Sequence, residues 1–198
     1  AGAYFWILVR CSKLPEMTII GITGTLGAGK GTVVEYLKQK GFQHYSARAF
    51  LFEEVDRRGM PRDRDSLNEV GEDLRAKHGA AYVVESLYDR AAGSGENAII
   101  ESIRTTGEVD ALKAKGGILI GVDANPKTRY ERVVKRGSET DQISFEKFIA
   151  DEEREAKGDD PSRMNIKSCM RRANYAVKND GSIHDLYRQL DEVLGKVG

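Results

Sequence analysis

The sequence predicts an α/β protein: a three-layer, five-stranded parallel sheet with a helical insert and a small lid. Three observations point there. From Met17 onward, short apolar runs alternate with helix-length amphipathic segments, the pattern of a parallel sheet joined by crossover helices. Residues 24–32 read GTLGAGKGT between an apolar run and a helical run, the setting a phosphate-binding loop requires. The length of 198 residues suits one such domain.

The elements follow in order. Residues 1–16 (AGAYFWILVRCSKLPE) hold an apolar stretch too short to span a membrane and lack the basic start of a signal peptide. They are expected to be an upstream extension or an expression remnant, with an edge strand or a partner contact as the alternative. The first strand is predicted over 17–23 and the first helix over 33–40. Between them lie Gly24, Thr25, Leu26, Gly27, Ala28, Gly29, Lys30, Gly31 and Thr32. Their glycines let successive N–H groups turn inward as an anion nest. The following helix adds its positive end, and Lys30 a mobile cation. The residue after Lys30 is Gly31, so the usual magnesium-binding hydroxyl arrives one place late, at Thr32.

A short second strand is predicted at 43–46, then helices at 47–58, 65–77 and 80–92; Ser66 and Glu69 have the spacing of a capping box. Three helices exceed what one crossover needs, so 47–93 is expected to be a substrate-covering insert. Strand 97–101, helix 106–115, strand 117–122 and helix 127–136 follow. The charge-dense stretch 137–160 lacks an apolar face of core width and is read as a lid. A helix over 161–172 and a strand at 175–178 precede a last helix. That helix starts from a Ser182 cap with Asp185 three residues on, and its stripe is Ile183, Leu186, Leu190, Val193, Leu194 and Val197.

Composition bounds the partners. The 31 basic and 31 acidic residues cancel, against an extended nucleic-acid surface. Cys11 and Cys169 form no disulfide or zinc framework and read as thiols in a reducing cytoplasm. His44, His78 and His184 have no carboxylate or cysteine at ligand spacing and are expected to be structural or solvent-facing.

In a sheet of this kind the strand 97–101 neighbours the first, so Glu101 sits beside the phosphate loop, within reach of a magnesium shell directly or through water. Arg104 then points into the crevice at the carboxyl ends of the strands, where its fork can hold a phosphate. Arg129, Arg132 and Arg136, at spacings of three and four, share one helix face.

These segments resemble P-loop nucleoside monophosphate kinases over 17–197. The Gly-Lys-Gly-Thr ending is similar to adenylate kinases, in which the metal is held more by phosphate oxygens and water. Adenylate kinases carry Asp-Gly-Phe-Pro-Arg-Thr, with a base-reading Gln four residues after the arginine, where this chain has Glu101-Ser102-Ile103-Arg104-Thr105 and then Glu108. Phage deoxynucleoside monophosphate kinases look closer still, with Asp-x-Arg-x-x-x-Glu. The resemblance implies ATP and Mg2+ as cofactors. It implies that Lys30, Arg104 and Arg136 are catalytic, that Arg104 grips the acceptor phosphate and that Glu108 faces the acceptor base or sugar. It places Arg132 on the donor adenine, Arg136 at the lid hinge, and Ser46 and Arg48 in the acceptor loop. Arg75, in a Leu-Arg stretch similar to archaeal adenylate-kinase relatives, joins the acceptor set, and Arg171 and Arg172 complete the clamp. Asn179 and Gly181 resemble the Asn-x-Gly segment that lies against adenine in dephospho-CoA kinases. Thr32 and Glu101 are the metal candidates. The implied partner is a small-molecule nucleotide acceptor, with no membrane and a monomer or homodimer. A dephospho-CoA kinase is the alternative, weakened because Ser46-Ala47-Arg48 stands where that family has an Asp. A P-loop ATPase or regulator acting on a protein or RNA partner is the alternative of another class.

Overall fold

A computed structural model describes residues 17–137, 144–155 and 160–197. Its elements run β1 (Ile19–Gly24), α1 (Lys30–Gln39), β2 (Gln43–Ser46), α2 (Ala47–Arg57), α3 (Arg64–His78), α4 (Tyr82–Ser94), β3 (Ala98–Glu101), α5 (Thr106–Ala114), β4 (Ile118–Asp123), α6 (Pro126–Arg136), α7 (Phe145–Glu155), α8 (Ile166–Arg171), β5 (Tyr175–Lys178) and α9 (Ile183–Val197). The strands form one parallel sheet in the order β2-β3-β1-β4-β5.

Side chains on a strand alternate between faces, and both faces of this sheet are covered. Ile20, Ile22, Ile99, Ile120 and Val122 pack with Val33, Leu37, Leu186 and Leu190 of α1 and α9. Ile19, Ala98, Ile100 and Leu119 pack on the other face with Val84, Leu87, Val109, Leu112 and Cys169. Burial on both sides is why β1, β3 and β4 read as near-continuous apolar runs rather than alternating ones. The helices between β2 and β3 hold a separate small core of Val55, Leu67, Val70 and Leu74. The surplus of helices in the sequence is thus a helical layer with its own apolar centre.

Several local features differ from the sequence expectation. Ser66 does not cap α3. Asp63 does, accepting from Ser66 N at 2.8 Å, which puts Ser66 buried in the first turn. The helix expected over 161–172 is shorter, Ile166–Arg171, because Asn165 caps it by accepting from Ser168 N. The stretch 137–160 does have a core-facing side, on α7. Phe148 of α7 is fully buried, and Phe145 and Phe148 meet the ring of Tyr130. A contact made by two aromatic rings is too narrow to register as a periodic stripe. The remainder of the expected lid at 138–143 and 156–159, and all of 1–16, lie outside the described residues. The Ser182 cap of α9 stands: Ser182 Oγ accepts from Asp185 N at 3.2 Å and Asp185 Oδ2 accepts from Ser182 N at 3.2 Å.

Candidate functional site

The phosphate loop leaves β1 in the centre of the sheet and enters α1 at Lys30. Glycine is required at Gly27 and at Gly29. Gly27 has φ 77°, and a Cβ there would overlap the carbonyl of Arg129. Gly29 has φ 96°, and a Cβ there would overlap Asn179 Nδ2. Gly31 differs: a Cβ there meets nothing within 4 Å, so crowding does not explain the missing hydroxyl at that place.

Lys30 Nζ donates to Gly24 O at 2.7 Å and Thr25 O at 3.0 Å. Burial presses its pKa down to about 8, helped by the charges of Arg104, Arg136 and Arg129 and opposed by Glu101. The charges of those residues therefore all act on one ammonium. Thr23 Oγ1 donates to Ile103 O at 2.8 Å and Ile103 N to Ile22 O at 3.1 Å, fastening the loop after β3 to the base of the phosphate loop. Thr25 Oγ1 is buried with no hydrogen-bond partner. An orphaned polar atom in a protein interior requires a reason, and here it lies in the loop where an oxyanion would sit. Thr32 lies in the first turn of α1, its N–H bonded to Gly29 O at 3.0 Å.

Glu101 ends β3, in register with Ile22 of β1 and Ser46 of β2, as expected for a residue beside the loop. Its Oε2 accepts from His44 Nε2 at 3.0 Å. The His44 hydrogen bond, together with the nearby charges of His44 and Lys30, holds its carboxyl below the usual range despite burial. Ser102, next in the chain, has φ 72°, the only positive φ outside glycine among the described residues. Such strain concentrates at functional sites. His44 therefore has a carboxylate partner, against the sequence expectation. That partner is 57 residues away in the chain, brought there by strand pairing. His78 instead stacks on Tyr82, ring centroids 4.4 Å apart.

Glu108 does not face an acceptor base. It is 2 % exposed and both oxygens are used. Oε2 accepts from Arg104 N at 2.9 Å and Thr105 N at 3.2 Å, closing a capping box with Thr105 at the start of α5. Oε1 accepts from Arg75 Nε and Nη2 at 3.4 and 3.3 Å. Arg75 is thus drawn to the side of Arg104 rather than standing alone. The guanidinium of Arg104 is exposed, its Nη1 3.7 Å from Met164 Sδ, and Asn165 N bonds Arg104 O at 2.9 Å.

Ser46 is the N-cap of α2, accepting from Ala49 N at 3.3 Å. Arg48 is exposed, 5.2 Å from the Phe52 ring centroid. Arg171 donates to Ser168 Oγ at 2.7 Å and Arg172 pairs with Asp110 at 2.9 Å, so the expected completion of a clamp by these two gives way to local pairing on α8 and α5.

On the other side of the loop, Asn179 meets the protein with its side chain: Nδ2 donates to Ala28 O at 2.9 Å. Arg132 Nη2 donates to Asn179 O at 2.8 Å, so Arg132 and the 179–181 turn frame one end of the loop together. Arg136, the last residue of α6, is exposed. Arg129, which shares their helix face in the sequence reading, is different. It is 4 % exposed, donates Nε to Ala124 O at 2.9 Å and Nη1 to Leu26 O at 3.3 Å, and is paired with Glu152 of α7 through both terminal nitrogens, Nη2 to Oε2 at 2.9 Å. One buried guanidinium ties loop, strand end and α7 together. Nothing in the spacing of the stripe distinguishes this arginine from its neighbours.

Among the described residues no three His, Cys, Asp or Glu side chains form a metal cage, and no helix is long and apolar enough to cross a membrane.

Known proteins resemble this chain. A family model described as AAA domain matches residues 20–158. A UPF0200 protein of Pyrobaculum aerophilum is 30 % identical over 181 residues, covering 90 % of this chain and 97 % of that one. A UPF0200 protein of Methanocaldococcus jannaschii is 30 % identical over 190 residues, covering 91 % of each. Among solved structures, TT1252 from Thermus thermophilus matches with TM-score 0.63 at 23 % identity, over 92 % of this chain and 98 % of that one. Dephospho-CoA kinase from Campylobacter jejuni matches with TM-score 0.54 at 15 % identity, over 92 % and 98 %. At these identities the structural likeness speaks for the fold alone.

Proposed function

The chain belongs to the AAA domain family, stands with the UPF0200 proteins and has the P-loop kinase fold, and on that premise we propose that it transfers the γ-phosphoryl group of ATP to a nucleoside monophosphate. The carrying observation is the 24–32 loop with Lys30 bonded into it, at an ammonium on which the charges of Arg104 and Arg136 also act. Two anions must approach each other during such a transfer. Catalysis is mostly alignment and charge neutralisation, and clustered cations supply both. The donor phosphates lie in the 24–32 loop, with Arg132 and the Asn179–Gly181 turn at the base end. The acceptor phosphate lies against Arg104, with Arg75 beside it and Arg48 at the mouth of the insert.

The donor set fits magnesium. A hydroxyl at Thr32 and a carboxylate at Glu101 are hard oxygen ligands, and the unpartnered Thr25 Oγ1 marks a place where a polar ligand atom would be satisfied. Magnesium bound with ATP supplies neutralisation of the β- and γ-phosphate charge. Lys30 and Arg136 add their charges to that, and Glu108 keeps Arg104 in place through its backbone.

A hydroxyl acceptor is the second reading. It draws support from the His44–Glu101 pair, a carboxylate and an imidazole at the crevice where the sequence offered no base. The experiment is a transfer screen with ATP and Mg2+ against all ribo- and deoxynucleoside monophosphates, dephospho-CoA and small sugar alcohols. Transfer to a monophosphate well above ATP hydrolysis is expected. Transfer only to a hydroxyl refutes the first reading in favour of the second.

A further inference from the structure

Glu101 occupies a place where the resembling kinases carry the shorter Asp. One more methylene adds a rotatable bond, so an unassisted Glu offers its carboxylate in more attitudes and loses more entropy on settling into one. This chain restrains it. His44 lies opposite Ile99 in the β2–β3 register, and Ile99 and Glu101, two apart on β3, share a face. That is the face on which Ile99 packs with the α1 side chains Val33 and Leu37, and α1 begins with Lys30 and carries Thr32. The His44 imidazole reaches along this face to Glu101 Oε2 at 3.0 Å, with the two side chains 26 % and 23 % exposed. The backbone at Ser102, next in the chain, has φ 72°, and Ile103 after it is hydrogen-bonded to Ile22 and Thr23 of β1. The carboxylate is therefore held from one side by the imidazole, with the Lys30 charge nearby.

We propose that His44 is a positioning residue for the metal: its ring fixes the Glu101 carboxylate in the attitude from which it meets the magnesium of bound nucleotide. Outer-shell partners of ligating carboxylates commonly change metal affinity by about 10–100-fold. A merely structural ion pair, partly exposed on an edge strand, would leave metal affinity untouched. The role of His44 rests on the phosphate-loop reading and is independent of which acceptor is phosphorylated.

The test is Mn2+ binding, read by electron paramagnetic resonance, to the full chain with a non-hydrolysable ATP analogue. Binding of the same analogue without metal serves as the control for fold and loop. His44→Ala is expected to weaken Mn2+ binding about 10-fold or more with metal-free analogue binding unchanged. His44→Gln, whose amide can still donate to the carboxylate, should recover most of the loss. In a Glu101→Gln background, His44→Ala should add nothing. The proposal is overturned if His44→Ala binds Mn2+ like the parent, or if metal and metal-free binding fall together. It is equally overturned if the histidine substitution weakens Mn2+ by the same factor with and without the Glu101 carboxylate. Failure of the parent chain to bind Mn2+ with the analogue removes the phosphate-loop reading as well. Absence of transfer to every monophosphate, with the His44 dependence intact, removes only the acceptor assignment.

Discussion

Lys30 makes the folded chain less stable than it would be without that charge, and the effect has a definite pH signature. In the folded chain burial, and after it the charges of Arg104, Arg136 and Arg129, disfavour the ammonium and bring its pKa from 10.5 to about 8. A tenfold change in proton affinity is worth about 1.4 kcal/mol, so holding the charge in the folded state costs roughly 3 kcal/mol at neutral pH. Below pH 8 both folded and unfolded chains are protonated and the cost is constant. Between pH 8 and 10.5 the unfolded chain keeps the proton that the folded chain has released. Stability rises with pH wherever the unfolded state binds more protons, so the cost disappears across this window. Lys30→Met removes the titration while keeping an unbranched side chain. The stability difference between variant and parent should therefore shrink by about 3 kcal/mol between roughly pH 7 and pH 10.5, with the parent gaining. For a chain of this size that corresponds to a relative shift in Tm of roughly 6–12 °C. Urea or thermal unfolding of both proteins at intervals of about one pH unit across that range measures it, and subtraction removes every other group that titrates there. Parallel stability curves would refute the argument. A ligand corollary follows: phosphate binding restores the proton, so ATP affinity should weaken as pH rises above about 8, and Lys30→Met should lose that dependence together with most of the affinity.

The other expectations are structural. Gly29→Ala combines φ 96° with an overlap onto Asn179 and should destabilise by roughly 1–3 kcal/mol while lowering nucleotide affinity. Gly31→Ser has open space and should unfold at nearly the parent temperature in a thermal melt. Glu108→Ala breaks a buried pair with Arg75 and opens the α5 cap. It should cost roughly 3–5 kcal/mol in urea unfolding, and at temperatures where it remains folded should raise the acceptor KM well above any change in the ATP KM. Glu152→Ala leaves the Arg129 guanidinium, 4 % exposed, without its carboxylate. A loss of about 3 kcal/mol is expected, with weaker ATP binding because the same guanidinium holds Leu26 O. Unchanged ATP affinity would show that the loop keeps its shape without that anchor.

Local chemistry and period are legible along the chain. The apolar strands, the loop 24–32, the cap at Ser182 and the placement of Glu101 beside the loop all follow from spacing. They depend on residues near in sequence or on the fixed pairing of strands in a parallel sheet. The phosphate-loop glycines are legible for the same reason, since φ and close approach act at single positions. The allocation of charged side chains is another matter. Arg129, Arg132 and Arg136 look alike in sequence, yet Arg129 is buried against Glu152, Arg132 binds the 179–181 turn and Arg136 is exposed. Glu108 matches a base-reading position and is instead the anchor of its own helix and of Arg75. His44 has no neighbour at ligand spacing and gains one from the adjacent strand. A carboxylate or guanidinium must find a partner once it is desolvated, and which partner it finds depends on distances between segments tens of residues apart. Architecture and the place of the phosphate site are therefore written into local spacing. Which ionic side chains face that site, and which are consumed in holding it together, is settled only when distant segments pack and desolvate one another's charges.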